Sequence, residues 1–269
     1  MAGLRDAQPQ PSAAPDPGEE RRILLLTSLA SFLVPATGSA LNVAMPTLGR
    51  QFGASAIELN WIVGAYLVAS AALLLPFGRL ADLVGRKRIF VAGMFAHAFV
   101  SVLCGFAPGT ATLVALRFLQ GGAAALGFST GMAILTAAVA PASRGRALGI
   151  ATAAVYAGLT MGPVIGGILT EQLGWRAIFF ASAVVSAAVG VGMRLGVPHE
   201  WRHAVGRLDV AGAAVYSISV ASFMASLSAW RTLPAARWMA PLAIGGLILF
   251  LARQARVEHP LVDLGLFRN

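Results

Sequence analysis

Polar and apolar residues fall in long blocks along this chain, not in a short period. Runs free of Asp, Glu, Lys and Arg cover residues 23–49, 59–78, 89–116, 118–143, 147–170, 177–193, 210–229 and 238–252. A helix crossing the hydrocarbon core of a bilayer needs about 20 mostly apolar residues. The runs therefore predict eight transmembrane helices. The run 89–116 holds one helix plus a connector at Pro108-Gly109-Thr110. The last run is short for a span, and Arg237 and Arg253 at its ends can reach outward to lengthen it. Barrel strands would alternate apolar and polar positions, and these blocks are continuous. Helices also satisfy their own backbone groups, as hydrocarbon requires. The expected fold class is all-α: a polytopic membrane protein.

Composition agrees. Hydrophobic residues make up 57% and charged residues 12%, with mean hydropathy +0.75. A soluble domain carries about 25% charged residues. The net charge of +9 does not point to nucleic acid, because the basic residues flank apolar spans, as in membrane proteins. Cys104 is the only cysteine, so one chain forms no disulfide and no cysteine metal site. No nucleophile–base pair, metal cluster or phosphate loop is legible, and neither an enzyme nor a cofactor is expected. Residues 1–22, with Pro9, Pro11, Pro15 and Pro17, read as a disordered cytoplasmic tail. They make a poor signal peptide.

Orientation follows from the basic residues. With the N-terminus inside, fifteen of the 20 Lys and Arg residues fall on the cytoplasmic side and four outside, with Arg117 inside a span. That bias places both termini in the cytoplasm. Alanine and arginine richness suggests a GC-rich bacterial genome, hence a bacterial inner membrane. Trp175, Trp230 and Trp238 read as interfacial anchors. Trp61, Tyr66, Phe128 and Tyr156 read as core or lipid-facing, with a substrate cavity as the alternative.

The loop after the second span reads Gly78-Arg79-Leu80-Ala81-Asp82-Leu83-Val84-Gly85-Arg86-Lys87-Arg88. Gly78 and Gly85 allow close approach and a tight reversal. Asp82 can pair with a base or cap a helix, and Arg86, Lys87 and Arg88 can bind lipid phosphates. The order of these residues resembles the signature loop of the major facilitator superfamily. Gly78, Leu80, Ala81, Asp82, Gly85, Arg86 and Lys87 match it, and Leu83 stands where Arg is usual. The resemblance implies a transporter. It implies that Gly78, Asp82, Gly85, Arg86 and Lys87 take part in conformational switching, with Gly78 and Asp82 touching the opposite half.

Two further stretches carry the resemblance. Arg117, Gln120 and Gly121 match the family's fourth-helix motif, which implies proton coupling. An intramembrane charge costs roughly 2.5–3.5 kcal/mol on insertion scales, so Arg117 either snorkels to the outer interface or lines a cavity. Gly158, Gly162, Pro163, Gly166 and Gly167 sit mid-span in the fifth run. Physically they form a small-residue packing face around a proline that removes a backbone hydrogen bond. Their pattern looks like the antiporter signature of the same superfamily. Asn42, Ala44 and Pro46 resemble the first-helix motif of its fourteen-helix drug:proton antiporters. There Thr37 holds the position of the usual Asp. No Asp or Glu lies within the eight runs, and His97 reads as a packing residue more than a proton carrier.

Residues 23–197 are thus expected to form a six-helix transporter half. Residues 198–208 would form a cytoplasmic loop, 209–256 two further helices and 257–269 a cytoplasmic tail. By resemblance these are the first eight of fourteen helices. The implied function is proton-coupled export of small hydrophobic or cationic compounds by an incomplete chain. Its partners would be the lipid bilayer, a small-molecule substrate, protons and a second transporter half. Two alternatives stay open: a half-transporter working as a homo- or hetero-oligomer, and a non-transporting scaffold or regulatory subunit.

Overall fold

The structure is a computed structural model, and it describes residues 16–202, 206–229, 236–257 and 260–262. Among the described residues, eight long helices follow one another. They are α1 (Pro17–Phe52), α2 (Ala56–Val84), α3 (Arg86–Gly105), α4 (Thr110–Ala138), α5 (Arg144–Leu173), α6 (Arg176–Gly196), α7 (Val210–Ala229) and α8 (Ala236–Gln254). A 3-10 turn, Pro141–Ser143, precedes α5. Among the described residues there is no strand. All eight helices hold a stretch long and apolar enough to cross a membrane. The connector predicted near Pro108 is Phe106–Gly109, between α3 and α4.

The first helix starts earlier than charge alone suggests. Residues 17–22, expected in the tail, are helical. Asp16 caps them: its carboxylate accepts the Glu19 N–H at 2.6 Å. Pro17 occupies the first turn, and Glu19 and Glu20 lie at the positive end of the helix. Of the remaining tail expectations, residues 1–15, 258–259 and 263–269 lie outside the described residues. α2 starts on a reciprocal Ser55–Glu58 capping box.

α1 packs along α5, α2 along α4, and α3 against both α4 and α6, while α7 and α8 pair and lean on α2. One core cluster gathers Ile23, Phe90, Met94, Val189 and Met193, with Val197 and Trp201 of the α6–α7 connector. A second, at the other end, holds Leu41, Leu48, Ile62, Leu113 and Phe179 around Trp175. Trp175 is therefore no lipid-facing anchor. It is buried, its indole N–H donates to Gln51 Oε1 at 2.7 Å, and its ring meets Phe52 and Phe179 edge-on. A polar atom on a buried ring needs a partner, and α1 supplies it. Trp238 is exposed, as an anchor would be. The side chain of Trp230 lies outside the described residues.

Arg253 does not lengthen α8 by snorkelling. It pairs with Asp209 at the start of α7, Nη2 to Oδ1 at 2.8 Å. Asp209 also accepts the Gly212 N–H at 2.9 Å and the Gln254 amide at 3.2 Å. The Arg253 hydrogen bond, foremost, holds the Asp209 carboxyl below the usual carboxylate range against its burial.

Candidate functional site

The eleven residues 78–88 are barely a loop. α2 runs on to Val84 and α3 begins at Arg86, leaving Gly85 alone between them. Its φ of 130° is one that a side chain disfavours. Gly78, by contrast, lies inside α2, and a Cβ there would meet nothing closer than Ser129 Cβ at 3.9 Å. Among the described residues, close approach therefore holds for Gly85 and not for Gly78. Asp82 Oδ1 pairs with Arg86 Nε at 2.7 Å across one helical turn. Arg86 Nη1 also donates to the Ala133 carbonyl of α4 at 3.2 Å. Two donors of this guanidinium are thus engaged within the protein. The backbone N–H of Lys87 donates to Glu200 Oε1 at 2.9 Å. Gly78, Asp82 and Arg86 border a cleft of about 540 Å3 between α2, α4 and α7, which Phe128, Met132 and Tyr216 also line.

Arg117 does not snorkel to the outer interface; it is 1% exposed. Its Nε donates to the Ile62 carbonyl of α2 at 3.0 Å, and Nη1 to Gln120 Oε1 at 2.6 Å. The guanidinium stacks over the Tyr66 ring, 4.2 Å from its centroid, an arrangement that stabilises a desolvated cation. Among the described residues no carboxylate pairs with it. The Gln120 amide donates to Ser101 Oγ at 2.6 Å, and Ser101 donates to the His97 carbonyl at 2.6 Å. His97 Nδ1 shares a hydrogen bond of 2.8 Å with Ser186 of α6. One turn away, Ser182 accepts from Thr37 of α1 at 3.2 Å. A polar thread therefore runs α2–α4–α3–α6, with α1 joined beside it. His97 is not a fully satisfied packing residue: its Nε2 and the Tyr66 hydroxyl are buried without a partner among the described residues. Sequence spacing alone could not find the thread, because Arg117, Ser101 and Ser186 come from three helices. Gly121 allows it. A Cβ there would collide with the Tyr66 carbonyl, and Ser70 Oγ donates to the Gly121 carbonyl at 3.0 Å.

The glycine–proline stretch lies on the α1–α5 seam. A Cβ on Gly158 would strike the Phe32 carbonyl, one on Gly162 would strike Ser39 Oγ, and one on Gly166 would sit 2.5 Å from Ala40 Cα. Ser39 Oγ donates to the Gly158 carbonyl at 3.2 Å across the seam. Gly167 is outside it, with its nearest neighbour Val43 at 3.9 Å. Pro163 leaves α5 continuous over Arg144–Leu173. On α1, Ala44 is buried, whereas Asn42 and Pro46, one turn apart, share an open face. No group of His, Cys, Asp and Glu among the described residues could hold a metal ion.

The family model described as Major Facilitator Superfamily matches residues 27–262. The chain belongs to the major facilitator superfamily. Among curated members, it is 31% identical to the multidrug resistance protein Stp of Mycobacterium tuberculosis, over 91% of this chain and 47% of that one. It is 30% identical to the riboflavin transporter RibZ of Clostridioides difficile, over 92% of this chain and 54% of that one. It is 34% identical to the puromycin resistance protein pur8 of Streptomyces alboniger, over 96% and 53%. The chain thus spans about half the length of these major facilitator relatives. Its backbone is similar to a bacterial homologue of the human lysosomal transporter Spinster in an inward-facing, unoccupied conformation. The TM-score is 0.60 at 19% identity, covering 93% of this chain and 66% of that one. The likeness extends the fold assignment to three dimensions.

Proposed function

We propose that this chain forms the N-terminal part of a proton-coupled exporter of small hydrophobic or cationic compounds. It sits in a bacterial inner membrane with both termini in the cytoplasm. The observation that carries the reading is the open flank of α5. That helix buries little beyond its seam with α1, and Tyr156 and Val164 are each 64% exposed. In this superfamily, substrate lies between two halves that rock about it, and such a flank is what a second half would cover. The names of two relatives, multidrug resistance and puromycin resistance, support export. A relative named as a riboflavin transporter keeps the substrate class broad.

Arg117, Gln120 and Gly121 are the residues we assign to proton coupling. Asp82 and Arg86, with Gly78, Gly85 and Lys87 around them, are those we assign to switching. Gly158, Gly162 and Gly166 of α5 are those we assign to a seam with α1 that moves in exchange, with Asn42 and Pro46 on the open face of α1 beside it. A second reading, a half-transporter that self-associates, is favoured by the same apolar flank. The test is proton-driven dye efflux in everted vesicles. The chain alone should be inactive and should gain activity when a second six-helix half is supplied. Full efflux by the monomeric 269-residue chain would refute the need for a second half. Disulfide cross-linking of Val164→Cys chains to each other, with efflux, would favour the dimer.

A further inference from the structure

The N-terminus of α3 has no cap of its own. Gly85 offers no side chain, and the first-turn residues Arg86, Lys87 and Arg88 are all basic, opposing the helix dipole. The missing acceptors come from more than a hundred residues downstream. Trp201 O accepts the Arg86 N–H at 2.9 Å, and Glu200 Oε1 accepts the Lys87 N–H at 2.9 Å. The other carboxylate oxygen of Glu200 lies 3.7 Å from Arg88 Nε. A Cβ on Gly85 would sit 2.7 Å from Glu200 Oε1, so the glycine leaves the space that this carboxylate fills.

The connector is itself held down. Val197 and Trp201 are buried in the core cluster with Phe90 and Ile23. His199 stacks on Trp201 and sits 2.8 Å from the buried Glu19 carboxylate of α1.

We propose that Glu200 is a positioning residue for the switching segment 78–88. It caps α3 from the α6–α7 connector, so the order of that segment is set by a strap leading out of the six-helix bundle. Gly85 is required for its backbone angle, and it also leaves the room that the Glu200 carboxylate fills. The functional weight of the proposal rests on the switching role assigned above to residues 78–88, whereas the capping stands on geometry alone.

Hydrogen–deuterium exchange on the whole chain in lipid nanodiscs tests it without any transport readout. Glu200→Ala should speed exchange at Lys87 about five- to tenfold, the size of a lost N-cap acceptor, and leave the far end of α3, residues 98–105, unchanged. Glu200→Gln keeps the acceptor and should restore protection at Lys87 to within about twofold. Trp201→Ala leaves both acceptor groups present but loosens the strap, and should raise exchange at Arg86 and Lys87 together. Wild-type rates at residues 86–88 in Glu200→Ala would overturn the proposal. So would equal loss in the Ala and Gln variants, or a rise spread evenly along α3 and α6. Failure of proton-driven efflux when the second six-helix half is supplied would instead sink the exporter reading and leave these exchange outcomes intact.

Discussion

Gly166 and Gly167 are adjacent in the antiporter-like stretch, yet they should respond oppositely to the same added methyl group. At Gly166 a Cβ would stand 2.5 Å from Ala40 Cα and 2.6 Å from Ala40 Cβ and the Ala40 carbonyl oxygen. Ordinary van der Waals contact begins at 3.4 Å, so the two helices would have to separate by close to an ångström. The obstruction is largely the main chain of α1, which cannot rotate aside as a long side chain would. Overpacking of this kind costs about 1–3 kcal/mol, against about 0.5–1 kcal/mol gained from replacing a helical glycine. Gly166→Ala should therefore destabilise the bundle by about 1–2 kcal/mol. At Gly167 the nearest atom is 3.9 Å away, so only the helix gain remains and Gly167→Ala should stabilise by about 0.5–1 kcal/mol. Reversible unfolding in mixed detergent micelles, followed by circular dichroism, reads the difference directly. If both variants unfold at the same detergent fraction, or Gly166→Ala unfolds later than wild type, the seam is not where the structure puts it.

Four other outcomes can be checked. Arg117→Lys should fail to replace arginine, because an ammonium cannot reach the Ile62 carbonyl and Gln120 while lying flat on Tyr66; a loss of about 2–3 kcal/mol in the same unfolding assay is expected. Asp82→Asn should change stability by less than about 1 kcal/mol, since its pair with Arg86 is partly solvated, while abolishing efflux by the completed transporter in everted vesicles. Asp209 has its carboxyl pKa lowered in the folded chain. Its stabilising effect is thus fully present above the ordinary carboxylate value of about 3.9 and is lost as pH falls through the lowered folded value. Proteolysis of the α7–α8 pair should accordingly be flat from pH 5 to 8 and rise only in stronger acid, whereas Asp209→Asn should raise it at pH 7. Trp175→Phe keeps the ring but leaves the Gln51 carbonyl without its donor. Because Gln51 is exposed, only the hydrogen bond itself is lost and a cost of about 0.5–1.5 kcal/mol is expected, with little change if the tryptophan were a lipid-facing anchor.

The spans were legible because hydrocarbon imposes a length and forbids charge, two properties that can be counted along a chain. The start of α1 was not, since the count treats Glu19, Glu20, Arg21 and Arg22 as tail. The Asp16-Pro17 cap that makes those charges compatible with a helix was nonetheless written in the sequence. Trp175 misled for a related reason: an amphipathic ring gives the same signal whether its N–H faces headgroups or Gln51. Arg117 could be read only as a charge needing relief. That the relief comes from a carbonyl, an amide and an aromatic face depends on residues up to 55 positions away. The capping role of Glu200 leaves one trace in the sequence: an acid in a stretch rich in arginine is itself a hint of pairing.

The single-glycine junction at residue 85 has an outcome for how such a chain can vary. Two long helices meeting through one residue have no slack, and each residue added would turn everything downstream by about 100°. The faces of α3 that now meet α4 and α6 would then point into lipid. Insertions and deletions should consequently be excluded between Val84 and Arg86, so the Gly85 junction acts as the phase reference for the rest of the bundle.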